Sequence, residues 1–139
     1  MKFLVKIITP RSIMAEIMAD AVILPANTGQ MQILNNHAPI ITGLETGPLS
    51  IRQDGVWQYF AVMGGFAHNI DNGVTIIVNE VILPSEIDID KVKKEYEELL
   101  VEYYEATTRK EKAAIDVDLK RARACYLVAK AFKEQQSSN

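Results

Sequence analysis

The residues best able to do chemistry are two histidines and one cysteine, and their surroundings argue against catalysis. His37 stands just before an Ala-Pro dipeptide, where an imidazole could act as a general base. No Ser, Cys or acidic partner stands at a recognisable spacing from it. His68 and Cys125 do not complete a metal-binding cluster. We therefore expect a protein that is not an enzyme and that needs no metal and no cofactor.

Two other patterns that could mark an active site also fail. Gly64 and Gly65 could belong to a phosphate loop, but no Lys-Ser or Lys-Thr follows and no helix is predicted there. A strand bend or close packing is the better interpretation. A small sandwich enzyme or sugar-binding protein would need a convergent polar cleft, and no paired carboxylates stand at a suggestive spacing.

Cys125 is the only cysteine, so it cannot form an intrachain disulfide. We interpret it as a small packing residue on a helix rather than a redox switch, because no second cysteine lies nearby. The neighbouring Arg121 and Arg123 would be expected to lower the pKa of its thiol.

Composition limits the classes of partner that the chain can bind directly. The chain has 139 residues and a formal net charge of -3, so no basic surface is expected for nucleic acid. The apolar runs are much shorter than the roughly 20 residues that span a bilayer, so membrane association is expected only through partner proteins. Strand-like residues begin at Lys2, and we expect neither a secretory leader nor a transit peptide.

The elements that would position these residues fall into two halves. Residues 1–84 show short apolar or alternating runs separated by turn residues, which predicts about ten strands in a sandwich or flattened barrel. Asp54-Gly55 and Asn72-Gly73 should each close a hairpin with a type I′ turn. The run from Ile76 to Val78 is predicted to be buried on both faces.

Residues 85–139 change to a helical period. Asp88 or Asp90 can cap a first helix, and Thr108 with Glu111 forms a capping box for a second helix that runs to about Gln135. The short break between the helices predicts an antiparallel hairpin. The predicted apolar stripes are Val92, Tyr96, Leu99, Tyr103 and Ala106 on the first helix, and Ile115, Leu119, Ala122, Tyr126 and Ala129 on the second.

The fold class is thus α+β, a ten-stranded β-sandwich followed by a two-helix hairpin. Residues 85–108 carry three basic and eight acidic side chains, whereas residues 109–139 carry eight basic and four acidic ones. The two helices should therefore attract each other. Because the second helix is rich in alanine, its packing should be modest in energy, and it could detach to find another partner. The plainer alternative is that these charges are solvated helix faces.

Several segments together resemble one family. They are Leu24-Pro25-Ala26-Asn27-Thr28-Gly29-Gln30-Met31, Ile33-Leu34-Asn35-Asn36-His37-Ala38-Pro39-Ile40, Met63-Gly64-Gly65-Phe66-Ala67, Val74-Thr75-Ile76-Ile77-Val78-Asn79 and Leu119-Lys120-Arg121-Ala122-Arg123-Ala124. In this order they resemble the epsilon subunits of F-type ATP synthases, and the resemblance spans essentially the whole chain. Asn35 departs from the family, which commonly has proline before the Asn-His pair.

The resemblance implies a noncatalytic subunit of the central stalk that couples proton flow to ATP synthesis. The sandwich would bind the gamma subunit and the membrane ring of proton-carrying c subunits. The residues implied at this interface are Gly29, Gln30, Met31, Asn36, His37, Ala38 and Pro39. The alternative for Asn36 and His37 is that they only hold a turn before a strand.

For the hairpin, the resemblance implies two positions, one against the sandwich and one extended toward the alpha and beta subunits of the catalytic head, where it hinders hydrolysis. Lys120, Arg121 and Arg123 are the predicted head contacts, although they could instead satisfy the first helix when the hairpin is folded down.

An alternative function is an ATP-sensing module. Some bacterial members bind ATP through Ile or Leu, Asp, two variable residues, Arg and Ala; here Ile87 and Asp88 match, but Lys91 and Val92 replace the last two. Lysine offers a point charge in place of a forked guanidinium, so the match to the motif is incomplete.

The segments from Met63 to Ala67 and from Leu119 to Ala124 resemble plastid members most. The expected location is therefore the stromal side of the chloroplast thylakoid membrane, peripherally bound, with a cyanobacterial or other bacterial membrane as the alternative.

Overall fold

The computed structural model describes residues 2–35 and 37–137, which form ten strands, one short 3-10 turn and two helices. The strands are β1 (Phe3–Ile8), β2 (Ile13–Ala19), β3 (Ala21–Ala26), β4 (Gly29–Leu34), β5 (Ile40–Leu44), β6 (Gly47–Gln53), β7 (Val56–Val62), β8 (Gly65–Ile70), β9 (Gly73–Val78) and β10 (Val81–Ile82). The 3-10 turn covers Pro84–Glu86, and the helices are α1 (Ile89–Glu105) and α2 (Arg109–Ser137). The predicted fold class is confirmed. No helix among these residues is both long and apolar enough to cross a membrane.

The strands form one sheet that folds over into two layers. The hydrogen-bonded order is β10-β7-β6-β3-β5-β8-β9-β1-β2, with β4 added to β3. A single residue pair, Ala26 with Leu44, joins β3 to β5 where the sheet turns from one layer to the other. Strand β1 pairs β9 in parallel, while the other described pairs are antiparallel. We call β10-β7-β6-β3 the first layer and β5-β8-β9-β1-β2 the second layer.

The core lies between the layers because strand side chains alternate between two faces. Along β1 and β9, every second residue is buried and the residues between are half-buried. The prediction that β9 is buried on both faces is therefore wrong, because Ile77 points to the outer side of the second layer. The largest fully buried core residues are Ile7, Leu24, Ile33, Leu49, Ile51 and Ile76.

Both predicted hairpins form, one of them a residue earlier than expected. Asp54 and Gly55 have φ values of 52° and 79° and connect Gln53 to Val56, as the sequence predicts. In the other hairpin, Asp71 and Asn72 form the turn with φ values of 53° and 59°, and Gly73 already pairs with Ile70. Asp and Asn tolerate the left-handed region, so the glycine is not needed in the turn itself.

Polar caps set the helix starts. The Asp88 carboxylate accepts a hydrogen bond from the Lys91 amide at 3.2 Å, which begins α1. The Thr108 hydroxyl accepts from the Glu111 amide at 3.1 Å, and the Glu111 carboxylate accepts from the Thr107 amide. The second half of this capping box therefore falls one residue before the expected position.

The helices pack through aromatic rings. Tyr96 of α1 stacks on Tyr126 of α2 with ring centroids 6.1 Å apart, and the Lys112 ammonium lies 5.4 Å from the centre of the Tyr103 ring. Within the described ranges, none of the ion pairs joins α1 to α2. The opposite charges of the two helices lie mainly on their exposed faces. The expected attraction between α1 and α2 therefore acts only across longer distances, where salt screens it.

Helix α2 has a second buried face, whose residues the sequence analysis did not name as part of an apolar stripe. Ala124, Cys125 and Val128 pack on Ala61 and Met63 at the outer side of the first layer. The predicted stripe of α2 is also buried or half-buried. The helix therefore lies between α1 and the sandwich, although alanine and cysteine contribute little apolar area on either side.

Candidate functional site

The loop that holds His37 is fixed by Asn69, a residue that the sequence analysis missed. Asn69 lies on β8 and is only 5% exposed. Its side-chain oxygen accepts from the Ile40 amide at 2.6 Å, and its amide nitrogen donates to the His37 and Ala38 carbonyls at 3.3 and 3.1 Å. A buried amide with these partners holds the backbone of the loop in one position. Only the pairing of β5 with β8 brings residues this far apart together.

The His37 side chain itself is exposed. Its Nδ1 lies 2.8 Å from the Ala38 carbonyl, a distance that requires Nδ1 to carry the proton and donate. Ala38 and Pro39 are exposed beside it. Asn36 lies outside the described residues. The atypical Asn35 accepts a hydrogen bond from the Asn72 side chain at 2.9 Å, which joins this loop to the β8–β9 turn.

The other predicted interface residues lie at a different place. Gly29 and Gln30 are exposed, and Met31 is half-buried, just after the β3–β4 turn. Gly29 has a φ of +117°, which glycine adopts without steric cost. The β3–β4 turn and the His37 loop lie at opposite ends of β5, roughly 15 Å apart at 3.3 Å per residue. The structure therefore does not bring the seven predicted residues together as one patch.

A larger apolar surface lies on the outer side of the second layer. Strand pairing places Ile41 opposite His68 and places Phe66 opposite Ile77 on this side. Ile41 is 76% exposed and Phe66 is 44% exposed. The exposed apolar residues of this outer face are Met14, Met18, Ile41, Phe66 and Ile70, with Leu4, Ile8 and Ile77 half-buried among them. The polar residues Glu16, Lys6 and Thr75 form a row with His68 across the middle of the same outer side. We call the whole surface the apolar face; exposed apolar side chains grouped in this way mark a contact site for another protein.

His68 lies on the apolar face, opposite Ile41 and Thr75. Its Nδ1 is buried without a hydrogen-bond partner. The described residues contain no group of three or more His, Cys, Asp or Glu that could hold a metal ion. Close packing, one of the two explanations expected for the Gly64-Gly65 pair, applies to Gly65. This residue has a φ of +130°, and a Cβ there would collide with the Ile77 carbonyl oxygen.

The three predicted head-contacting residues have different environments. The Lys120 ammonium pairs with Asp116 of the same helix at 3.1 Å, which raises the pKa of Lys120. The Arg121 guanidinium forms two hydrogen bonds with Glu80 of the sandwich, at 3.2 and 3.0 Å. Arg123 is exposed and forms no ion pair with a described residue. None of the three forms an ion pair with a described residue of α1, although the pKa of Arg121, raised mainly by hydrogen bonding to Glu80, is also raised by the charge of Glu95 on α1.

Cys125 is buried beside this ion pair. Burial raises the pKa of its thiol, and the positive charge of Arg121 only partly opposes that shift. The expectation that the arginines would lower the pKa is therefore wrong in its net direction. The interpretation of Cys125 as a packing residue agrees with its contacts in the α2–sandwich interface.

The residues of the incomplete nucleotide motif line a shallow depression of about 290 Å³ between α1, β10 and α2. Ile87, Asp88 and Lys91 are all among its lining residues. Glu86 and Glu95 also line it, and the Asp88 carboxylate is already occupied by the Lys91 amide. Two cationic side chains, Lys91 and Arg121, also line it, but Arg121 is already paired with Glu80. The excess of carboxylates is unfavourable for an anionic polyphosphate.

Comparison with known proteins agrees with this architecture. Residues 2–84 match the family model for the ATP synthase, Delta/Epsilon chain, beta-sandwich domain. The chain is 38% identical over 133 residues to the chloroplastic ATP synthase epsilon chain of Nephroselmis olivacea, covering 96% of this chain and all of that one. It is 47% identical over 92 residues to the ATP synthase epsilon chain of Thermosynechococcus vestitus, covering 66% and 67% of the two chains.

Among solved structures, a chain of the Euglena gracilis mitochondrial ATP synthase matches with a TM-score of 0.76 at 22% identity, covering 86% of this chain and 76% of that one. At this identity, the match supports the fold alone. The family model and the full-length relative together establish the kinship. The chain belongs to the family of ATP synthase epsilon subunits.

Proposed function

We propose that this protein is a noncatalytic central-stalk subunit of a proton-translocating F-type ATP synthase. In this role it transmits rotation between the membrane ring and the catalytic head, and its hairpin inhibits ATP hydrolysis. Membership of the epsilon-subunit family supports the proposal that the protein is part of this complex. The observation that carries the proposal is the uncovered apolar face, since an isolated domain gains nothing from exposing Ile41 and Phe66 to water.

The apolar face is the proposed contact with the gamma subunit. It is formed by a layer of five strands in which β8, β9 and β1 are paired on both sides, while β2 has a free edge and β5 joins β3 through a single residue pair. The His37 loop leads directly into β5, so His37, Ala38 and Pro39 extend this contact at its rim. Helix α2 covers the opposite layer of the sandwich. The hairpin can therefore move without disturbing the gamma contact.

The β3–β4 turn is the proposed contact with the ring of c subunits. Gly29, Gln30 and Met31 project at the end of the sandwich away from the His37 loop, so one subunit can bridge two partners. Through this contact with the ring, the protein would be held at a membrane only by its partner proteins. The chloroplastic names of the relatives favour the chloroplast, and we assign the stromal side of the thylakoid membrane.

Inhibition is assigned to α2. Lys120, Arg121 and Arg123 give this helix a basic surface, and we propose that it extends to an acidic region of the catalytic head. Replacing all three residues by Ala should raise ATP hydrolysis by the assembled complex. An unchanged rate of hydrolysis would contradict the assignment of these residues to the head contact, but it would not contradict the proposed role in the stalk.

The gamma contact is tested by calorimetric titration of the purified chain with its cognate gamma subunit. An Ile41→Asp variant should bind at least tenfold more weakly, because the new carboxylate would lose its hydration in the contact. Val56→Asp is the matched control, since Val56 is 59% exposed on the first layer. Equal loss in both variants, or no loss in either, would contradict the assignment of this face. Saturable binding in a parallel titration with Mg-ATP would instead support the sensor alternative.

A further inference from the structure

Helix α2 is fastened to the sandwich at three points along its length. Near the middle of the helix, Arg121 pairs with Glu80 in the connection between β9 and β10. One turn later, Cys125 and Val128 pack on the first layer. Toward the end of the helix, the Gln135 side chain donates to the Trp57 carbonyl at 2.9 Å. The Arg121–Glu80 contact is the only ion pair between α2 and the sandwich in the described part of the chain.

The ion pair has the geometry of a specific fastening. Both nitrogen donors come from one guanidinium, and each reaches a different oxygen of the Glu80 carboxylate. A forked pair of this kind fixes direction as well as distance. Hydrogen bonding to Glu80 raises the pKa of Arg121, as expected for a group that is favoured in its charged form.

We propose that the Glu80–Arg121 pair is a latch that sets how often α2 leaves the sandwich. While the latch is closed, the guanidinium of Arg121 is committed to Glu80 and cannot contact an acidic partner. Opening releases Arg121 and exposes Cys125. The latch itself follows from the contacts within this chain; only its effect on hydrolysis rests on the proposed inhibitory function.

The latch is suited to frequent opening. The side chains of Arg121 and Glu80 are 45% and 47% exposed, so water and salt screen their attraction. The apolar contacts beside them come largely from small side chains. The docked position should therefore weaken as ionic strength rises, whereas a helix held only by apolar contacts would not respond in this way.

Cys125 provides a reporter of latch opening in the full-length protein. It is the only cysteine and is buried in the docked position, so a maleimide reagent reacts only after opening. Glu80→Gln should raise the labelling rate roughly twofold to fivefold, the range expected for an exposed ion pair. Rates are compared at saturating reagent, where opening limits the reaction and the reactivity of the thiol no longer matters.

The matched control is Asp116→Asn, which removes the ion pair to Lys120 within α2 without touching the sandwich. It should leave the rate unchanged, and the double variant Glu80→Arg with Arg121→Glu should restore the slow rate. Salt should accelerate labelling of the unchanged protein but not of Glu80→Gln. Unchanged labelling in Glu80→Gln, or equal acceleration in Asp116→Asn, overturns the latch.

A second measurement separates the latch from the inhibitory role. In the assembled complex, Glu80→Gln should lower ATP hydrolysis, because more hairpins are free to reach the head. Faster labelling with unchanged hydrolysis would keep the latch and reject inhibition by the released hairpin. Chemical denaturation followed by the strand signal should be the same in Glu80→Gln and the unchanged protein, which distinguishes opening of the hairpin from global unfolding.

Discussion

The sandwich and the helical hairpin differ in how much of each is buried. Between the two layers, large aliphatic residues such as Leu49, Ile51 and Ile76 are completely buried. Helix α1 has no buried residue, and α2 buries three alanines, one cysteine, one leucine and one valine. Because apolar stabilisation follows buried area, most of the stability belongs to the sandwich. The proposed detachment of the hairpin would therefore cost the sandwich little of its stability.

The largest expected effect concerns close packing within the sandwich. Gly65→Ala would place a methyl group against the Ile77 carbonyl while also straining a backbone with φ of +130°. We expect a loss of roughly 2–5 kcal/mol in the free energy of unfolding, measured by chemical denaturation. Gly29→Ala is the matched control, because Gly29 has a similar φ of +117° and nothing within 4 Å of its added Cβ. If both variants lost the same stability, backbone strain alone would explain the effect.

Local signals explain why so much of the fold could be predicted from the sequence. The Asp54-Gly55 turn, the Asp88 cap and the Thr108 cap each depend on residues within a few positions, so propensity determines them. The same reasoning from local sequence placed the turn between β8 and β9 one residue too late. Asp71 and Asn72 tolerate positive φ as well as an Asn-Gly pair does, and pairing with β1 and β8 then determines the register.

The candidate site was less predictable because it depends on pairing between distant strands. Asn69 holds residues about 30 positions earlier, and the apolar face combines side chains from all five strands of the second layer. Nothing within a single segment marks these residues as neighbours. The second face of α2 was missed for a different reason, since Ala124 and Cys125 give a weak hydrophobic signal in a helix already explained by its first stripe.

The next effect tests whether the rim of the sandwich is as rigid as its core. Asn69→Ala would remove three hydrogen bonds to the His37 loop and leave the Ile40 amide without its partner. We expect a loss of about 1–3 kcal/mol in unfolding free energy and faster amide exchange in residues 37–40. His37→Ala should leave stability nearly unchanged, because its side chain is exposed. A large loss in His37→Ala would assign the imidazole a structural role.

A smaller effect should appear in the hairpin. Val128→Ala removes two buried methyl groups from the α2–sandwich contact, which costs about 1–2 kcal/mol of docking free energy. Labelling of Cys125 should therefore become faster while the denaturation midpoint of the strands stays constant. Val117→Ala is the control, since Val117 is 69% exposed on the same helix. A shift of the strand transition in Val128→Ala would show that hairpin and sandwich unfold as one unit.

The smallest effect is a pH dependence that belongs to the hairpin alone. Burial raises the pKa of Cys125 above its ordinary value of 9.0, because the docked position disfavours the thiolate. Below the ordinary pKa the thiol is neutral in both positions, so docking keeps its full strength. As the pH rises from there through the raised pKa, the released helix binds fewer protons than the docked one, and docking weakens.

Fluorescence of Trp57, the sole tryptophan, can follow this change because its carbonyl accepts a hydrogen bond from α2. Cys125→Ala should abolish the alkaline weakening while keeping a small side chain at the contact. An identical pH profile in Cys125→Ala would assign the effect to tyrosines or lysines instead. Loss of strand structure over the same pH range would contradict the division between the two regions, because the sandwich contains no cysteine that could respond.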